Sequence, residues 1–150
     1  DLKINNVLFS REDDVALCLV DLDTLGPVHL GYELGDALRS WCNRAGEDSA
    51  QAQLDLSVHE QLWHGYRTGS GAAASATEQR AVLLGLEWIT VELAARFAAD
   101  ALNESYFGFD PQRFERAGEH NLLRARSQWS LHQEVMQNRS ARESLLRWSP

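Results

Sequence analysis

The first part of the chain places short apolar runs on either side of a polar turn. Residues 7–9 and 15–20 are apolar, and the polar residues 10–14 separate them. Two such runs joined by a polar turn are typical of a β-hairpin. Because the second run is apolar at every position, we expect it to be buried on both faces. Gly26-Pro27 then breaks the chain before the next element.

The remaining chain carries apolar residues at helical spacing. Helices are predicted over about residues 32–44, 54–67, 76–102 and 115–138, with a Gly/Ser-rich loop at 68–71. Ser75 and Glu78 are spaced as a capping box at the start of the third helix. The side chains predicted to face inward on the last two helices are Leu83, Leu86, Thr90, Leu93 and Phe97, then Leu122, Trp129 and Met136. The tryptophans expected in the core are Trp41, Trp63, Trp88 and Trp129.

The predicted fold class is α+β, mostly α, with one hairpin followed by about four helices. Two strands alone are marginally stable in water. We therefore expect the helices to supply the core and the hairpin to lie against them. His120, near the start of the last helix, is expected to organise that helix by capping or by a core hydrogen bond.

Composition narrows the classes of function. The chain has 150 residues, a length that favours one domain, and 44% of them are hydrophobic. A formal net charge of −8 argues against non-specific nucleic-acid binding, which needs a basic surface. No apolar stretch is long enough to span a membrane. Two cysteines, Cys18 and Cys42, in a chain of this size favour a reducing compartment, and we expect a cytoplasmic protein.

The chain starts at Asp1 without a methionine and opens in the middle of a polar, motif-like run, residues 1–6. We interpret it as part of a longer protein. The alternative interpretation is a processed or tagged N-terminus.

The candidate chemistry lies at the two outer ends of the hairpin. Asp1 and Asn6 precede the first strand, whereas Asp21 and Asp23 follow the second. Antiparallel pairing brings these outer ends together, so the four side chains are expected to converge. Carboxylate and amide oxygens are ligands that Mg²⁺ prefers, and phosphoryl transfer uses such a group together with a proton-accepting carboxylate.

The segment Asp1-Leu2-Lys3-x-x-Asn6 matches the catalytic loop of protein kinases. The alternative is a surface loop of turn-forming residues whose acids only solvate the strand ends. Protein kinases continue with Asp-Phe-Gly and Ala-Pro-Glu, whereas this chain has Asp21-Leu22-Asp23 and neither triplet. The chain instead resembles the aminoglycoside phosphotransferase superfamily, whose members share the protein-kinase fold but act on small molecules.

Within that superfamily the resemblance is strongest to bacterial N-acetylhexosamine kinases and covers about residues 1–132. The segments that carry it are residues 5–9, 16–24 and 32–39, Arg96-Phe97, Tyr106-Phe107 and residues 118–128. The chain departs from its relatives in the order of Gly26-Pro27 and in Glu33, which replaces an aspartate. These departures bear on loop shape and not on the catalytic acids.

The resemblance implies a protein-kinase-like C-terminal lobe over residues 1–150, with an N-terminal lobe outside the chain. It implies ATP and Mg²⁺ as cofactors and a small molecule, such as an amino sugar, as acceptor. The implied site residues are Asp1 as catalytic base, Lys3 beside the transferred phosphate, Asn6 and Asp21 as ligands of the metal and its nucleotide, Asp23 in support of the metal, and Asp36, Arg39, Arg96 and Tyr106 as acceptor contacts.

Each of the weaker assignments has a structural alternative. Asp36 and Arg39 are three apart on a helix and could simply pair with each other. Arg96 could belong to a buried ion pair, Tyr106 and Phe107 could be core aromatics, and Lys3, the single lysine, could face solvent.

The leading functional interpretation is an ATP-dependent phosphotransferase whose acceptor is an amino sugar such as an N-acetylhexosamine. The alternatives are a kinase for aminoglycosides or other small alcohols, a protein-kinase lobe, and an inactive relative that serves as a binding module. The segment by itself is expected to be a poor catalyst, because nucleotide-binding parts of a kinase are not among its residues.

Overall fold

The computed structural model describes residues 2–71 and 74–147. A short 3-10 turn, Ile4–Asn6, leads into strand β1, Val7–Phe9, which pairs with β2, Ala16–Leu19. Five helices follow: α1 Leu30–Trp41, α2 Leu56–Ser70, α3 Ala76–Asn103, α4 Ala117–Gln137 and α5 Arg139–Leu146. The mostly helical α+β class is confirmed. The described residues form five helices where about four were predicted, because a separate short helix follows the last predicted one.

The predicted hairpin is confirmed. The two strands are antiparallel, with Val7 opposite Leu19 and Leu8 opposite Cys18, and an irregularity follows Leu8. The Ser10 N–H donates to the Val15 carbonyl at 2.8 Å and closes the turn.

The expectation that the second apolar run is buried is wrong. All four residues of β2 are exposed, and Leu17 is 67% exposed. Nor does the hairpin pack closely on the helices, since a cavity separates much of it from α1 and α2. The apolar composition of a strand predicts that its side chains are buried in a packing contact, but it does not identify the element against which the strand packs.

The core lies between the helices. The helix α3 is at its centre, because α3 makes the most extensive contacts with both α4 and α1. Fully buried members of this core cluster are Leu34, Leu38, Cys42, Trp63, Val82, Leu83, Leu86, Ile89, Leu131, Val135 and Leu146. Among the described residues, no helix is both long enough and apolar enough to cross a membrane.

The helix boundaries follow local capping chemistry. Ser75 and Glu78 form the predicted capping box, so α3 begins where expected. Asp55 caps α2 by accepting the N–H groups of Ser57 and Val58. The helix α2 runs through the predicted Gly/Ser loop to Ser70, and Gly71 ends it in the left-handed region at φ +63°.

The predicted inward face of the last long helix is wrong. Leu122, Trp129 and Met136 are exposed, whereas the buried face of α4 is largely polar. Its buried side chains include His120, Asn121, Ser127 and Gln128 together with Ala125, Leu131 and Val135. On α3 the predicted face is buried except at Leu93, which is half-buried. Of the four tryptophans expected in the core, only Trp63 is fully buried; Trp41 is half-buried, and Trp88 is 73% exposed.

Candidate active site

The pairing of the hairpin continues one step beyond its strands. The Val20 N–H donates to the Asn6 carbonyl at 2.9 Å. This bond places Asn6, the last residue of the 3-10 turn, beside the residue that precedes Asp21. The predicted approach of Asn6 and Asp21 therefore follows from the strand register. Asp1, the predicted base, lies outside the described residues.

Asp21 has an unusual backbone conformation. Its φ of +60° lies in the left-handed region, which aspartate tolerates better than most residues other than glycine. The conformation turns the chain sharply where β2 ends. Left-handed residues of this kind concentrate at functional sites, where the surrounding structure holds them in place.

A cavity of about 980 Å³ lies between the hairpin and the helices α1 and α2. Lys3, Asn6 and Asp21 are among its lining residues. Tyr32 and Glu33, from the first turn of α1, also line it. Most of the remaining wall is apolar and includes Leu2, Val7, Leu19, Leu22, Leu34, Val58 and Leu62. Asp23 is exposed in the turn after β2 and is not a lining residue.

The oxygen donors among the lining residues suit one kind of metal. Among residues 2–71 and 74–147, no three His, Cys, Asp or Glu side chains are close enough to enclose an ion. Asn6 and Asp21 supply hard oxygen atoms on one cavity wall. Mg²⁺ is commonly held by one or two carboxylates, with waters and substrate phosphates completing its shell. The residues present therefore fit Mg²⁺ bound together with a nucleotide better than they fit an all-protein metal cage.

The residues predicted as acceptor contacts lie outside the cavity lining. Asp36, on α1, accepts a hydrogen bond from the Arg39 guanidinium at 2.6 Å. The two side chains therefore pair with each other, as the structural alternative predicts. Arg39 also pairs with Glu47 and is almost fully buried. Burial lowers the pKa of Arg39, but the carboxylates of Asp36 and Glu47 together outweigh it and raise that pKa. Arg39 thereby ties α1 to the loop that follows it.

Arg96 and Tyr106 do contact each other. The Arg96 guanidinium lies 5.3 Å from the centre of the Tyr106 ring and 5.4 Å from that of Phe107. Its nearest carboxylate, Glu92, is 3.5 Å away on the same helix. The alternative of a buried ion pair is wrong, since the Arg96 side chain is 44% exposed. Tyr106 is likewise not a core aromatic, because it is 72% exposed.

Tyr32 lines the cavity and lies within electrostatic range of Arg96. Partial burial raises the pKa of the Tyr32 phenol, the carboxylates of Glu92 and Asp36 raise it further, and Arg96 opposes them. These charges on α1 and α3 therefore lie near a side chain that lines the cavity. Asp36 and Arg96 are thus within electrostatic range of Tyr32, and Arg96 in turn contacts Tyr106.

Two buried clusters, which the sequence analysis only partly anticipated, hold the loop between α3 and α4. His120, 1% exposed, accepts the Asp110 N–H at Nδ1, 3.1 Å away. Its Nε2 therefore carries the proton and donates to Asp48 Oδ1 at 2.8 Å. Burial raises the pKa of Asp48, but bonds from His120 and Arg124 outweigh it and lower that pKa. The expectation of a core hydrogen bond by His120 is confirmed.

The second cluster centres on Asp100, which the sequence analysis missed. Its carboxylate accepts the backbone N–H groups of Ser105, Tyr106 and Phe107. These bonds, with that of Phe107 strongest, lower the pKa of Asp100. A signal was available in the sequence: an acid in the last turn of a helix opposes the helix dipole and so indicates a specific partner.

Comparison with known proteins finds a family similarity over the first part of the chain. Residues 1–68 match a model of the phosphotransferase enzyme family, abbreviated APH. The matched region holds Asp1, Lys3, Asn6 and Asp21, whereas Arg96 and Tyr106 lie beyond it. This match supports the aminoglycoside phosphotransferase and kinase-like superfamily, and it suggests a phosphotransferase of kinase type. No solved structure matches the chain.

Proposed function

We propose that the protein transfers the γ-phosphate of ATP to a hydroxyl group of a small molecule. The observation that carries the proposal is the bond between Val20 and Asn6, which brings Asn6 and Asp21 onto one cavity within the matched region. Phosphoryl transfer depends mainly on positioning and on neutralising charge, so a cavity with hard oxygen ligands and a cation is the required arrangement.

The chain's own residues divide the chemistry as follows. Asp1 accepts the proton of the attacking hydroxyl. Asn6 and Asp21 would hold Mg²⁺, and through it the nucleotide phosphates, with Asp23 in support. Lys3, on the same cavity wall, offsets negative charge on the transferred group. When bound, Mg²⁺ would neutralise charge on the phosphates.

We propose an amino sugar, such as an N-acetylhexosamine, as the acceptor. Tyr32, which lines the cavity, offers a ring face. Asp36 on the same helix, and Arg96 with Tyr106 on α3 and the loop after it, offer both charges and a second ring. Aromatic rings stack on the apolar faces of sugars, while charged groups bind their hydroxyls. Arg39 would contribute by holding Asp36 in place, because its guanidinium is already paired. The resemblance to N-acetylhexosamine kinases supports the same choice.

We further propose that the chain forms the C-terminal lobe of a larger kinase-like protein. The hairpin and the segment after it expose many large apolar side chains, among them Leu8, Phe9, Val15, Leu17, Leu19, Leu22 and Leu25. Contiguous exposed apolar surface of this kind is typical of an interface. The nucleotide-binding parts would lie in the portion of the protein that covers it.

The test is a panel of acceptors with the full-length protein, ATP and Mg²⁺. Formation of ADP and of a phosphorylated amino sugar is the expected result. Transfer to aminoglycosides with none to amino sugars would move the acceptor to a cationic class, which the net charge of −8 would suit. ATP binding without transfer to any acceptor would favour the inactive binding module and refute the proposal.

Two substitutions in the full-length protein separate the base from the metal ligands. Asp1→Asn keeps the shape of the side chain but removes the proton acceptor, so kcat should fall about 10²–10⁴-fold with little change in KM. Asp21→Asn keeps a residue that tolerates the left-handed conformation but weakens the hold on Mg²⁺. Part of its loss should therefore return at high Mg²⁺.

Steady-state kinetics over a range of Mg²⁺ concentrations measure both effects. Asp14→Asn is the matched control, because Asp14 is also left-handed, at φ +56°, but lies in the hairpin turn. It should leave kcat unchanged. An unchanged kcat in Asp1→Asn would show that Asp1 is not the base, and full rescue of that variant by Mg²⁺ would place Asp1 among the metal ligands.

A further inference from the structure

The carboxylate of Asp100 accepts hydrogen bonds from backbone N–H groups that lie beyond its own helix. Asp100 lies in the last turn of α3 and is 5% exposed. Its Oδ1 accepts the N–H groups of Ser105 and Tyr106, both at 2.9 Å, and its Oδ2 accepts that of Phe107 at 2.8 Å. Asn121 on α4 donates its side-chain amide to Oδ2 at 3.0 Å. One buried carboxylate thereby holds three consecutive residues of the loop and joins them to α4.

Helix stability does not explain this residue. A negative charge at the C-terminal end of a helix is unfavourable, because the carbonyl groups there already carry partial negative charge. The α3 helix ends without its help, since the Glu104 N–H donates to the Asp100 backbone carbonyl. The side chain therefore serves the loop and not the helix.

The loop backbone that Asp100 holds decides where two aromatic rings lie. Phe107 packs against Phe97 of α3, with ring centres 4.4 Å apart. Tyr106 meets Phe107 edge to face at 4.8 Å and lies beneath the Arg96 guanidinium. Tyr106 itself is largely exposed, so its position depends on its backbone and on these few contacts.

The rest of the same loop is held just as firmly. Arg124 donates to the Gly108 carbonyl at 2.7 Å, and the Asp110 N–H donates to buried His120. The loop between α3 and α4 is thus fixed at residues 105–107, 108 and 110 by side chains of the two helices. Such ordering suits a surface that must present Tyr106 and Arg96 in one arrangement.

We propose that Asp100 is a positioning residue that sets Tyr106 against Arg96 as one wall of the acceptor site. This inference rests on the proposed function, since it assigns the wall to the acceptor of phosphoryl transfer. Asp100 does not touch the acceptor. It acts through the backbone of residues 105–107. Arg96 lies on α3, which packs against α1, and α1 contributes Tyr32 to the lining of the cavity that Asn6 and Asp21 also line.

A carboxylate is needed at this position because both of its oxygen atoms accept hydrogen bonds. An asparagine has one acceptor oxygen. Its NH₂ group would face either the N–H groups of Ser105 and Tyr106 or, in the other orientation, the Phe107 N–H and the Asn121 amide. Asp100→Asn therefore keeps the volume of the side chain but releases part of the loop. Asp110→Asn is the matched control, since Asp110 uses one oxygen to accept the Gln112 N–H at 2.9 Å, a bond that an asparagine retains.

The experiment compares both variants with wild type in the full-length protein by two measurements. Amide hydrogen exchange reports the bonds directly, and exchange at residues 105–107 should be about tenfold faster in Asp100→Asn. In kinetics with the amino sugar, the acceptor KM should rise on the order of tenfold while the ATP KM changes less than about twofold. General unfolding would lower the active fraction and would not raise one KM selectively. Asp110→Asn should match wild type in both measurements.

Unchanged exchange at residues 105–107 in Asp100→Asn would overturn the inference, and so would faster exchange with an unchanged acceptor KM. An equal rise of both KM values would also overturn it, because the effect would not be confined to the acceptor. If wild-type protein transfers phosphate to no acceptor, the proposed function fails, and the role in acceptor binding fails with it.

Discussion

Adding one methyl group where α1 crosses α3 should be strongly destabilising. A Cβ atom at Gly85 would lie 1.8 Å from the Gly31 carbonyl oxygen and 2.6 Å from its carbon. Real Cβ atoms essentially never approach another heavy atom below 3.0 Å, so the two helices would have to separate by more than 1 Å. Both opposing atoms belong to the backbone, and no side-chain rotation can relieve the clash. A Cβ atom at Gly35 would also clash, since it would lie 2.5 Å from the Gly85 carbonyl carbon.

The cost follows from what lies around the crossing. Separation would loosen Leu34 and Leu38 of α1 against Val82 and Leu86 of α3, all of which are buried. A gap of 0.5–1 Å forfeits about a quarter to a half of the dispersion energy of each contact. Overpacking usually costs about 1–3 kcal/mol, and a clash of backbone with backbone belongs at or above the top of that range. Alanine favours a helix by about 1 kcal/mol over glycine, which leaves a net loss of about 2–3 kcal/mol for Gly85→Ala.

The measurement is urea unfolding of each variant, followed by circular dichroism. Gly65→Ala is the matched control, because Gly65 is also inside a helix, α2, but a Cβ there meets no atom within 4 Å. It should raise the unfolding free energy by up to about 1 kcal/mol. A Gly85→Ala protein as stable as wild type would refute the close helix crossing. Equal losses in both variants would show that the clash is not the cause.

Two further predictions concern the buried ionisable groups of the helical core. His59 is fully buried, and burial, aided by the nearby Arg142 charge, lowers its pKa to about 4, below the ordinary 6.5. The contribution of neutral His59 to the free energy of unfolding is therefore complete above about pH 6.5 and is lost as the pH falls toward 4. Between pH 7 and pH 5, the free energy of unfolding of the wild type should fall by about 2 kcal/mol more than that of His59→Gln. Parallel pH profiles of the unfolding free energy would contradict this. Separately, Arg142→Met should lower the free energy of unfolding by about 3–5 kcal/mol, because it breaks the buried 2.7 Å ion pair with Glu87. Arg147→Met breaks an exposed ion pair with Glu143 and should change that free energy by less than about 1 kcal/mol. Similar losses in the two arginine variants, measured by urea unfolding, would contradict the role of burial.

The elements and part of the site were predictable because their causes are local. The hairpin follows from two apolar runs and a polar turn, and its pairing necessarily brings the residues before β1 close to those after β2. The approach of Asn6 to Asp21 is therefore a consequence of antiparallel register, visible from residues 6 and 21 alone. The start of α3 was predictable for a similar reason, since a capping box needs only Ser75 and Glu78.

Other features depend on which surfaces meet, and only the tertiary structure decided them. Trp88 and Trp129 resemble core residues by type, yet they are exposed, whereas polar His120 and Gln128 are buried. Asp100 reaches residues 105–107 only because the loop folds back over the end of α3. Hydrophobic periodicity and capping act over a few residues, so sequence alone determined the hairpin, the helices and the meeting of the strand ends. Burial, the contact between Arg96 and Tyr106, and the contact between Gly85 and Gly31 depend on packing between segments that are apart in the chain.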